Sequence, residues 1–174
     1  MAAPPRRSLG YAATAVFLGV GRGIASTVYG TVVVMATLTA AYASEKNPWR
    51  LAAIVVTTAV VLWIAHLYSH ALGETIADGR RPNLRTVRAI ARVEVGILIA
   101  AAGPTVALVL GSSGLLHETA AVWLALAIGL VTLGVEGLRF ARLESFGLAA
   151  TVVATCVNLG LGLLVVVLKV AVAH

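Results

Sequence analysis

Five stretches of this chain are almost wholly apolar and close to the length that crosses a lipid bilayer. They cover residues 24–43, 51–72, 93–110, 119–135 and 146–170. About twenty apolar residues in a helix span the roughly 30 Å of bilayer hydrocarbon. None of the five carries an acidic residue in its middle. Backbone groups in hydrocarbon have no water to bond, so each run must be a helix that satisfies its own N–H and C=O groups. The runs lack the period-two alternation of a membrane β-barrel. Composition agrees: 60% of the residues are hydrophobic, 11% are charged and the mean hydropathy is +0.97. A soluble domain covers itself with roughly a quarter charged residues. The sequence therefore predicts an all-α fold, a polytopic transmembrane bundle of five spanning helices in one domain, 1–174. The connectors leave no room for a soluble domain.

The N-terminus adds one more apolar stretch, residues 9–21, too short to span alone. Gly19, Gly21 and Gly23 cluster with Arg22 at its end. Glycine weakens a helix, so this cluster predicts a break and a short N-terminal interfacial or re-entrant helix. The other reading is one long helix running into the first span. Arg6 and Arg7 ahead of an apolar stretch imitate a signal peptide, but Arg22 falls in the would-be cleavage region, and the N-terminus is read as uncleaved.

Between the runs, 44–48 and 111–114 read as tight turns, 73–83 as the main polar loop and 139–145 as the last connector. The basic residues sort by side. One side holds ten: Arg6, Arg7, Arg22, Arg80, Arg81, Arg85, Arg88, Arg92, Arg139 and Arg142. The other holds three: Lys46, Arg50 and Lys169. Such a bias marks the cytoplasmic face, so the expected topology in the plasma (inner) membrane is N-terminus cytoplasmic and C-terminus outside. The net charge of +6 is thereby explained by topology, with no nucleic acid as partner. Membrane lipids are the expected surroundings, with other copies or other membrane subunits as partners. Arg85, Arg88 and Arg92 share a helix face and can meet anionic headgroups, though halting translocation is the plainer account of them.

The candidates for chemistry centre on His66, His70 and Glu74, spaced by four and so stacked on one face of the second helix. Two histidines and a carboxylate can hold a metal ion, or relay protons, since imidazole titrates near neutral pH. An interfacial anchor is the bland alternative, because His and Tyr are common where one end of a side chain is wet. Haem is not expected, since two histidines on one helix cannot reach both faces of a haem. Arg22, Glu94, Glu136 and Asn158 are supporting polar or charged candidates. Glu136 is expected to pair with Arg139, and Glu94 with Arg22 or the neighbours of Arg92. A vestibule joining His66, His70, Glu74, Glu94 and Glu136 is the expected ion entry. Pro104, after Gly103, removes a backbone donor and predicts a kink in the third helix. Ser26 and Gly30, four apart, predict a close approach by a neighbouring helix. The single cysteine, Cys156, excludes an internal disulfide.

Arg142-Leu143-Glu144-Ser145-Phe146-Gly147, opening an apolar helix, resembles the start of the bacterial potassium channels of the lysosomal type, which begin with Arg and then Phe-Ser-Asp. The second run, with Trp63 and His66, is loosely similar to their second helix. The Ser-Asp pair does not follow Phe146, so no filter residue is carried over. The Ala- and Val-rich style with Trp63-x-x-His66-x-Tyr68-x-His70 also resembles polytopic integral membrane proteins of actinobacteria, which implies a membrane location and no particular activity. The sequence therefore predicts a small ion or solute channel or transporter, working as an oligomer, with an accessory subunit of a larger membrane complex as the rival. The usual marks of an enzyme, clustered acidic metal ligands or a nucleophile beside a base, are absent from the sequence.

Overall fold

The computed structural model describes the backbone of residues 9–78, 83–144 and 147–172, and the side chains of 23–76, 83–144, 147–167 and 171. The described chain forms five helices: α1 (Leu9–Ser44), α2 (Pro48–Asp78), α3 (Leu84–Ser112), α4 (Glu118–Leu143) and α5 (Leu148–Val172). All five are long and apolar enough to cross a bilayer. This is the architecture of a multi-pass membrane protein, as the apolar runs predict.

The helices reach further than the apolar runs. α1 is one continuous helix of 36 residues, about 54 Å long at 1.5 Å per residue. The expected break at Gly19, Gly21 and Gly23 does not occur, and no separate N-terminal helix forms. The reason is local: each glycine costs a helix only about 1 kcal/mol relative to alanine. No proline lies between Leu9 and Ser44 to remove a donor. Likewise the expected polar loop 73–83 is helical as far as Asp78. Thr75 keeps its hydroxyl bonded inside that helix, donating to the Ala71 carbonyl at 2.8 Å. α4 also absorbs Arg139 and Arg142 before ending at Leu143. Polarity marks where a helix leaves the hydrocarbon, and the backbone ladder continues past that point.

Side-chain caps fix the helix starts. Asn47 Oδ1 accepts from the N–H groups of Trp49 (2.9 Å) and Arg50 (3.4 Å), with Pro48 in the first turn of α2 where no N–H is missed. Asn83 Oδ1 does the same for α3, accepting from Arg85 and Thr86 at 2.9 Å each. Such a cap contributes about 1 kcal/mol. The α3–α4 turn passes through Gly114 at φ +79°, a left-handed backbone that glycine takes without a Cβ penalty. In the α1–α2 turn, Glu45 accepts from the Asn47 N–H at 2.9 Å and from Arg50 at 3.2 Å.

Packing is centred on α1, which touches all four other helices. Its Val34, Met35 and Leu38 are buried against Leu51 and Val55 of α2, Leu108 of α3, Leu126 and Leu133 of α4 and Val165 of α5. The outside is just as apolar. Ile64, Ile99, Val131, Leu148, Val153 and Leu164 are all more than half exposed, while Ser26, Thr31, Glu94 and Glu136 are buried. A water-soluble fold arranges these classes the other way round.

One contact positions the site. α1 and α3 run in the same direction and meet at two glycines. A Cβ on Gly30 would lie 2.8 Å from the Ile97 Cα, and one on Gly96 would lie 2.5 Å from the Thr27 Oγ1 and 2.9 Å from its backbone nitrogen. The Ser26–Gly30 pair thus admits a neighbouring backbone, as its spacing predicts, and the neighbour is α3.

Two expectations follow. Gly30→Val should destabilise the bundle by about 1–3 kcal/mol, the usual cost of overpacking, read as an earlier thermal transition in detergent. Gly160→Ala, where nothing lies within 4 Å of the added carbon, should not lower that transition. Equal destabilisation by both would remove the close α1–α3 contact. In the α1–α2 turn, the Asn47 N–H chiefly, with Arg50 adding to it, holds the Glu45 carboxyl below its usual range. Its contribution to the turn is therefore full above the unfolded-state pKa and is lost as pH falls through the lower folded value. A carboxyl NMR titration of Glu45 should give a midpoint below that of a free glutamate, and a midpoint at or above it contradicts the turn.

Candidate functional site

A carboxylate in a membrane-spanning helix is expensive unless partners replace its water. Glu94, in the third turn of α3, is only 4% exposed. Each of its oxygens has a partner on a different helix. Ser26 of α1 donates its hydroxyl to Oε2 at 2.7 Å, and His70 Nε2 of α2 lies 3.1 Å from Oε1. The Gly30 and Gly96 contacts let α1 come close enough for the first bond. The second is steadied by Trp63, whose indole N–H donates across to the Ala91 carbonyl at 3.4 Å and ties α2 to α3 one turn before Glu94.

Two aromatic rings extend this cluster. His66 lies one turn before His70, with ring centroids 6.5 Å apart, and the Tyr29 ring of α1 packs on His66 at 5.0 Å. His66 Nδ1 stands 3.2 Å from the Leu62 carbonyl. A carbonyl accepts only, so Nδ1 carries the proton, and neutral His66 has Nε2 as its accepting nitrogen. Three helices therefore supply five polar or aromatic groups at one level: Ser26 and Tyr29, His66 and His70, and Glu94.

The structure brings together some of the sequence candidates and separates others. His66 and His70 share a face as their spacing requires. Glu74 is exposed, and the carboxylate that meets His70 is Glu94 on the next helix. Among the described residues no three of His, Cys, Asp and Glu are grouped to hold a metal ion. Glu94 bonds to Ser26 and His70, where Arg22 or the neighbours of Arg92 were expected. The Arg22 side chain lies outside the described residues, and Arg92 is exposed. Burial turns Glu94 toward α1 and α2, away from the arginine face of its own helix.

Glu136 forms a second, separate pair. It is buried on α4, and Arg139 NH1 donates to both of its oxygens at 2.7 and 3.0 Å, as their spacing predicts. The adjoining Gly137 packs on α5, where an added Cβ would come within 3.1 Å of Asn158 Nδ2. Asn158 thus lies at the α4–α5 contact. Pro104 is buried, and α3 continues through it to Ser112.

Sequence reasoning missed Ser26 as a ligand of the carboxylate, reading it only as a small residue. It also missed Tyr29. The available signal was that Ser26 is polar and shares with Gly30 the face along which a neighbouring backbone was expected.

The His70–Glu94 contact should be measurable as a coupling energy. In a double-mutant cycle on thermal stability, His70→Ala and Glu94→Gln should couple by about 0.5–3 kcal/mol, the range for residues in contact. His70→Ala with Glu74→Gln should couple less. Additive behaviour of the first pair contradicts the site.

No protein-family model, curated protein or solved structure matches this chain, so its functional reading rests on the geometry of these residues.

Proposed function

We propose that this protein moves an ion or a small solute across the plasma membrane, as an oligomer, with its N-terminus on the cytoplasmic side. The observation that carries the reading is Glu94: an ionisable side chain 4% exposed inside a bundle of spanning helices, with both oxygens held from other helices. Replacing such a pair as a whole by well-packed apolar residues often costs a fold little, so stability alone does not call for a carboxylate here. A buried charge of this kind is a functional candidate by default.

A second observation supports a route beyond Glu94. Thr105 lies eleven residues further along α3, about three helical turns, on nearly the same face. Its hydroxyl is buried and has no hydrogen-bond partner among the described residues, as is also true of Thr39 on α1 and Thr155 on α5. Hydroxyls of that kind can serve a passing polar species.

The rival reading, an accessory subunit of a larger membrane complex, draws on α5. That helix leaves Leu148, Val152, Val153, Val157, Leu163 and Leu164 exposed along its length. Purification in mild detergent with mass spectrometry separates the two, since a stoichiometric partner of another sequence favours the rival.

Reconstituted into liposomes, the protein should carry tracer flux above that of empty vesicles. His70→Ala should reduce the flux by about tenfold, the effect of losing about 1.5 kcal/mol from a charge-assisted hydrogen bond. Wild-type vesicles indistinguishable from empty ones across common cations and anions contradict the reading.

A further inference from the structure

We propose that His70 and Glu94 form a single-proton binding site, and that the ion this protein moves, or uses to drive another solute, is the proton. The inference rests on the transport reading above and names its ion.

Charge counting comes first. With one proton shared between them, the two side chains are neutral overall, whether the arrangement is imidazolium with carboxylate or imidazole with carboxylic acid. Releasing that proton leaves one negative charge on Glu94, supported by the Ser26 hydroxyl and a neutral His70 N–H. In a poorly solvated setting that charge is costly. The site therefore has two states one unit of charge apart, and filling it neutralises it. A carrier site for a monovalent cation needs this property.

The geometry suits a proton. His70 Nε2 and Glu94 Oε1 are 3.1 Å apart, a hydrogen-bond distance. A transition-metal ion would need further ligands, and no third His, Cys, Asp or Glu among the described residues is grouped with this pair to supply one.

The two members of the pair differ in exposure. The His70 side chain is 51% exposed and that of Glu94 5%. Starting from neutral His70 with its proton on Nε2, an incoming proton binds Nδ1 and makes the imidazolium. The Nε2 proton then passes to Glu94 Oε1. His70 is left neutral with its proton on Nδ1, Glu94 is left as the acid, and one proton has been gained. His66, one turn away with Nε2 as its accepting nitrogen, can feed the same step.

The surrounding titratable and charged groups are few. α1 contributes Tyr29. α2 contributes His66 and, four residues beyond His70, Glu74. α3 contributes Arg88 and Arg92, and α4 contributes Glu136, already bound to Arg139. Among the described residues, His66 is the only other histidine beside the pair.

The test uses the full chain in liposomes loaded with a pH-sensitive dye, with a potassium diffusion potential applied to drive protons and tracer ion flux followed in parallel. Wild-type vesicles should acidify. Glu94→Gln, which keeps an acceptor for Ser26, should lower that rate by about a hundredfold, as losing a positioned proton-transfer group does. Should Glu94→Gln fail to purify as a monodisperse species, His70→Asn at the half-exposed partner should lower the rate by about tenfold. Acidification that persists unchanged in the variant overturns the inference. Tracer flux without proton flux in the wild type overturns the inference and leaves the transport reading standing. Absence of all flux overturns both.

Discussion

The lack of water in a bilayer's hydrocarbon governs this structure at every level. It forces the backbone into helices, because only a helix satisfies its own N–H and C=O groups within one segment. It also removes the usual drive to bury apolar side chains, so the outside of the bundle can be as oily as the inside. What remains to hold the helices together is close packing and the pairing of polar groups with one another. Both are concentrated on α1, which touches every other helix and supplies Ser26, Thr27 and Gly30 to the α3 interface.

The same constraint explains why the two buried carboxylates are both fully partnered. Glu94 has one partner for each oxygen, and Glu136 is held twice by Arg139. The two carboxylates differ in their partners' chemistry. The Arg139 guanidinium is a permanent cation and grips Glu136 through both oxygens. The Glu94 pair has an imidazole where the other has a guanidinium, and it joins two helices where the other lies within one. Both occur near the Arg-rich ends of their helices.

Much of this was legible in the sequence, because the signals were strong and one-dimensional. Runs of Leu, Val, Ile and Ala located all five helices, and the spacing of Ser26 and Gly30 marked a close contact. His66 and His70 fell on one face because residues four apart on a helix must. The failures share a cause. Polarity was taken to end helices, whereas Gly73–Asp78 and Arg139–Leu143 stay helical because the hydrogen-bond ladder does not depend on side-chain polarity. The glycines near Arg22 were given more disruptive force than about 1 kcal/mol each can exert. The partner of Glu94 was sought among its sequence neighbours and among arginines. It came from another helix, through a contact set by the packing of three helices together, and no linear spacing encodes that.

The central claim is that Glu94 sits inside the bundle, in a bilayer, bonded to His70. Solid-state NMR of the protein in lipid bilayers, with histidine nitrogens and glutamate carboxyl carbons labelled, tests it directly. The account predicts a through-space correlation between His70 Nε2 and the Glu94 carboxyl, and one from that carboxyl to Ser26. A Glu94 carboxyl that correlates with neither and contacts bulk water would contradict it.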